Sequence, residues 1–75
     1  MNTNQYALIL VASTSHALRI EKILDKAGIP CKLIPVPRQL SSDCGSCVRI
    51  LQEYKAQALR ELETAKVGIE GVHDI

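Results

Sequence analysis

The sequence predicts an α+β fold, a four-stranded antiparallel sheet with two helices on one face. Three observations predict it. Short apolar runs of Leu, Ile and Val alternate with two amphipathic stretches at helical spacing, and Gly and Pro punctuate their junctions. The 75 residues suffice for one small domain, residues 1–75, and leave no room for a second.

Tyr6-Ala-Leu-Ile-Leu-Val-Ala12 comes first, an apolar run without helical polarity and with polar residues on both sides. It reads as a central strand buried on both faces. Ser13-Thr14-Ser15 follow as N-cap candidates, because a hydroxyl can accept from the unpaired N–H groups of a first helical turn. Ala17, Ile20, Ile23, Leu24 and Ala27 then share one helical face, while Arg19, Glu21, Lys22, Asp25 and Lys26 fall mostly elsewhere. Gly28 is the stop signal and Pro30 prevents continuation.

Cys31-Lys-Leu-Ile-Pro-Val36 resumes an extended pattern. Pro35 has no N–H to give a ladder, which confines the far end of that strand to a sheet edge. Residues 35–47, P-V-P-R-Q-L-S-S-D-C-G-S-C, carry too much Pro, Ser, Asp and Gly to be core and read as an exposed loop.

Cys47-Val-Arg-Ile-Leu51 admits two readings. β-Branched Val48 and Ile50 alternate with Arg49, as in a strand, which completes a β-α-β-β-α-β ferredoxin-like sandwich. Yet Val48, Leu51, Lys55, Ala58, Leu62 and Ala65 also fit one face of a long helix capped by Asp43, closer to a clipped thioredoxin-like unit. The pattern favours the strand. Tyr54, Ala58, Leu62 and Ala65 form a helical stripe that ends at Gly68, and Ile69–Ile75 reads as a closing strand. The expected strand order is 4-1-3-2, with an open face apolar enough for a homodimer.

Composition narrows the function. A chain this short buries only about 60% of the surface its unfolded form exposes, so its stability margin is thin. With 47% apolar residues but no Phe or Trp, the core must be Leu, Ile, Val and Ala. Nine basic and eight acidic residues leave a net charge of +1, and there are two tyrosines. That balance speaks against nucleic acid, which calls for a basic patch with stacking aromatics. The run Tyr6–Ala12 is far below the ~18 apolar residues of a membrane span. No basic start precedes a hydrophobic segment and small-residue cleavage site. The expectation is a cytoplasmic protein, where a close cysteine pair is more often catalytic or metal-binding than a structural staple.

The segment Leu-Ile-Pro-Val-Pro-Arg-x-Leu-Ser-Ser-Asp-Cys-Gly, after a strand ending in Ser-Thr, a helix with Ala-Leu-x-x-Glu-Lys and then Gly-Ile-Pro, resembles the selenium/sulfur (Se/S) carrier protein-like family of small domains. The likeness runs from about Ser13 to Gly45, and the remaining elements fit. It implies a ferredoxin-like domain with a carrier role for Cys44. One position departs. Three residues after that cysteine the family pattern is small or apolar; here Cys47 completes a C-x-x-C and admits dithiol chemistry.

In a ferredoxin-like sandwich the turn after strand one and the loop between strands two and three lie at the same end of the sheet. Ser15 and His16, opening the first helix, would then face Arg38, Cys44 and Cys47. A helix N-terminus carries roughly half a positive charge. With Arg38 it would lower the pKa of Cys44 and supply the thiolate that attacks sulfane sulfur or a selenium donor. Ser42, Asp43 and Gly45 flank the thiol and belong with it as binding or activating residues. Cys44 and Cys47 are the reactive pair. No cofactor or metal is expected, since structural zinc wants four ligands and only Cys44, Cys47 and His16 could be near. The expected partner is a sulfur or selenium donor or acceptor protein, for example a cysteine desulfurase or a sulfur-transfer protein. A carrier is favoured over an enzyme. The alternatives are a small C-x-x-C dithiol oxidoreductase and a thiolate metal-binding module. Cys31 reads as a buried apolar residue, and His73 as structural.

Overall fold

A computed structural model describes residues 5–37, 40 and 45–75. Its elements run β1 (Tyr6–Leu10), α1 (Thr14–Lys26), β2 (Cys31–Pro35), β3 (Ser46–Leu51), a 3₁₀ turn (Gln52–Tyr54), α2 (Lys55–Thr64) and β4 (Gly71–Asp74). All three strand pairings are antiparallel, in the order β2-β3-β1-β4. Strands β1 and β2 therefore run in the same direction with β3 inserted between them, the ferredoxin-like arrangement.

Residues 46–51 are a strand, which removes the long-helix alternative. The period decides it: Val48 and Ile50 join the core with Ala7, Ile9, Val11, Ala17, Ile20, Leu24, Ala58 and Leu62. Both helices thus cover the same sheet face. Arg49, between Val48 and Ile50, belongs to the other face. A helix over the same residues would have sent Val48 and Ile50 to different sides.

β1 is central, and Ala7, Leu8 and Ile9 are all wholly buried. By alternation Leu8 and Cys47 lie on the face away from the helices, yet neither has any solvent exposure. That face therefore shelters part of its own apolar surface. Pro35 is the last residue of β2, an edge strand, as its missing N–H requires.

Both helices end in the same device. At α1, Ile29 N–H reaches Leu24 O at 2.9 Å and Gly28 N–H reaches Asp25 O at 3.1 Å. These are the paired bonds of a Schellman motif, and Gly28 sits at φ +76° in the left-handed region where glycine is unstrained. At α2, Val67 N–H reaches Leu62 O and Lys66 N–H reaches Glu63 O, both at 3.0 Å. Here the left-handed residue is Lys66, at φ 58°. The helix ends before Gly68, because packing Val67 against the core fixes the turn at Lys66 and overrides the glycine signal.

Candidate functional site

One end of the sheet holds Ser15, His16, Gly45 and Cys47, the described residues among those the sequence singled out for the site. Cys47 pairs with Leu10 of β1 and with Ile34 of β2, and Leu10 also pairs with Gly71 of β4. The ends of β1 and β2 and the starts of β3 and β4 are thus neighbours. Since α1 begins a few residues after β1, its N-terminus lies at this end too. Ser13 is the N-cap, its Oγ accepting from His16 N–H at 3.4 Å and lying 2.8 Å from His16 Nδ1. That hydroxyl follows an extended backbone, φ −151° and ψ 159°, which aims it back over the first turn. Ser15 and His16 are exposed.

The loop between β2 and β3 has a defined stem. Val36 N–H donates to Gly45 O at 3.0 Å, continuing the β2–β3 ladder one step past Pro35 and Ser46. Beyond it, Leu40 N–H donates to Pro37 O at 3.0 Å. Gly45 is exposed at the foot of the stem, immediately after Cys44 in the chain. Arg38, Ser42, Asp43 and Cys44 lie outside the described residues.

The exposed-loop reading ran to residue 47, where the strand reading began; Ser46 and Cys47 are the first residues of β3, and Cys47 is fully buried. Pairing on both sides, to β1 and β2, draws it into the sheet. Local Ser/Gly composition carries no signal of that kind.

Cys31 belongs elsewhere. It opens β2 opposite Ile50, packs against the core at intermediate exposure, and its Sγ lies 3.8 Å from Glu21 O. Desolvation first, then the charges of Glu21 and Asp25, raise its thiol pKa above the ordinary cysteine value. It is half-buried rather than buried, and its surroundings disfavour the thiolate.

Sequence reasoning missed a second feature. Arg49 lies over the Tyr6 ring, its guanidinium carbon 4.5 Å from the ring centroid. The alternation of Arg49 with Val48 and Ile50 could have placed it on the far face, but the pairing with Tyr6 needs the β1–β3 register. Among the described residues, no three His, Cys, Asp or Glu side chains converge to hold a metal. Nor is any helix there long and apolar enough to cross a membrane.

The architecture defines a class: a ferredoxin-like domain in which the stem of the β2–β3 loop, at Val36 and Gly45, stands at the sheet end where α1 begins. The chain belongs to the family described as "Putative Se/S carrier protein-like", whose model matches residues 6–74. No curated protein and no solved structure matches it.

Proposed function

We propose that the protein carries sulfur or selenium as a per-sulfide or per-selenide on Cys44 and passes it to a partner protein. The observation that carries this reading is the family match over residues 6–74. The strand topology supports it, since the loop stem at Val36 and Gly45 stands at the sheet end where α1 begins. Positive potential from the α1 N-terminus favours a thiolate near it. Burial of Cys47 leaves Cys44 as the thiol to be loaded, because a protein-sized donor has no direct access to a side chain with no exposure.

In the loading step the Cys44 thiolate attacks the terminal sulfur of a donor persulfide. A new S–S bond forms on Cys44, the donor's S–S bond breaks, and the donor leaves as a thiolate. Delivery repeats the exchange, with an acceptor thiolate taking the terminal sulfur and Cys44 leaving. Should Cys47 instead attack Sγ of the loaded Cys44, hydrosulfide is expelled and a Cys44–Cys47 disulfide remains, to be reset by an external dithiol. Cys47 must leave its buried position for that, so local opening at the start of β3 limits the release.

Intact-mass spectrometry after incubation with a cysteine desulfurase and cysteine tests the reading. Wild type should gain sulfur, Cys44→Ser should not, and Cys47→Ser should load and hold the adduct longer. A wild type that never loads, or a Cys47→Ser variant that cannot, would sink the carrier reading. A stable Cys44–Cys47 disulfide with a potential in the thioredoxin range would then favour a dithiol oxidoreductase.

A further inference from the structure

At the opposite end of the sheet from the loop stem is an open cleft of about 210 Å³, lined by Tyr6, Pro30, Cys31, Lys32, Arg49, Ile50 and Leu51. Lys32 and Arg49 are direct cross-strand partners, so their side chains leave the sheet on the same face. Two like charges placed opposite each other across a ladder destabilise it. Among the described residues neither has a carboxylate within ion-pair distance. Glu21 and Asp25 of α1 act on Cys31, at the helix-side wall of the cleft, whereas Lys32 and Arg49 leave the sheet on the opposite face.

Arg49 is also held in place. Its guanidinium lies over Tyr6, and a stacked guanidinium keeps its edge N–H donors available in a fixed fork. The volume falls below the ~300–1,000 Å³ of pockets for drug-sized ligands, yet holds several times the ~30 Å³ share of one water. A small, multiply charged acceptor group suits both the size and the unneutralised pair.

We propose that this cleft binds a small tetrahedral oxyanion of the phosphate or sulfate class, gripped between the Lys32 ammonium and the Arg49 guanidinium. The anion offsets the repulsion between the two cations and receives charge-assisted hydrogen bonds from both. The site is independent of the thiol and of the carrier reading.

Amide NMR titration of the intact chain tests it, with inorganic phosphate, sulfate or glycerol 3-phosphate added against chloride at matched ionic strength. Saturable shifts at residues 30–32 and 49–51 are expected with the oxyanions and not with chloride. Arg49→Gln should weaken binding ~10-fold or more, and Lys32→Gln, at an exposed position, ~3-fold or more. Arg49→Lys keeps the charge but loses the fork, and should fall between wild type and Arg49→Gln. Tighter binding of glycerol 3-phosphate than of phosphate assigns a phosphomonoester as the ligand, and the reverse a free oxyanion; either supports the site. Chloride shifts equal to those of phosphate, or unchanged binding in both Gln variants, would overturn it.

Discussion

Cys31 and Cys47 stand on opposite faces of the sheet, Cys31 against the helices and Cys47 on the far side. Ile34, the β2 residue paired with Cys47, is three positions along the strand from Cys31, roughly 10 Å at ~3.3 Å per residue. A disulfide needs Cα atoms within ~7 Å and Cβ vectors that converge. These two cysteines cannot be bridged while the sheet is intact.

That separation gives the thiols different reactivities. In the folded protein at neutral pH, iodoacetamide should label Cys44 first, Cys31 slowly, and Cys47 only once denaturant opens β3. Cys31 is retarded by desolvation and by the charges of Glu21 and Asp25. Its folded pKa lies above its unfolded one, so its contribution to stability is complete below the unfolded pKa, about 8.5, and is lost as pH rises through the folded value. Cys31→Ala should therefore flatten the alkaline arm of the stability profile. Peptide-resolved mass spectrometry reads the labelling, and Cys47 modified as fast as Cys44 without denaturant would contradict its burial.

The two helix ends respond to glycine in opposite directions. Lys66 is exposed and left-handed, which costs an L-residue about 1–2 kcal/mol, while glycine gives back about 0.4–1 kcal/mol of that through a looser unfolded chain. Lys66→Gly should then stabilise by about 0.5–1 kcal/mol, with a rise in Tm of several degrees. Gly28→Ala should destabilise by a similar amount. An added Cβ there meets nothing within 4 Å, so the loss is conformational rather than steric. Thermal unfolding of the pair checks both signs, and a shift in the same direction for both would refute the shared capping geometry.

Asp74 ties the end of the chain to the start of α2. Its carboxylate accepts from Lys55 Nζ at 2.9 Å, and this bond above all holds its pKa below the usual carboxylate value. A lowered folded pKa contributes stability above the unfolded pKa, about 3.9, that is lost as pH falls through the folded value. Lys55→Met should reduce the acid sensitivity of unfolding between pH 5 and the folded pKa. The pair is exposed, so the effect should also fade with salt. Urea unfolding across that pH window, at low and high salt, measures it. An unchanged slope in Lys55→Met would show that the bond contributes nothing.

What the sequence determined by itself is set by local periodicity and by residues with few backbone options. The run Ala7-Leu8-Ile9 required a strand buried on both sides. Ala17, Ile20 and Leu24 required a helix with one apolar stripe, Gly28 its end, and Pro35 a sheet edge. Each follows from the geometry of a short segment, whatever surrounds it. Tertiary structure alone decided the rest. Val48 and Ile50 fit a strand and Val48 and Leu51 a helix, and only the ladders to β1 and β2 chose between them. The same pairing buried Cys47 and set Arg49 over Tyr6 and beside Lys32, while the packing of Val67 placed the left-handed cap after α2 at Lys66 rather than Gly68. Register and burial depend on residues distant in the chain, so no short window of sequence contains them.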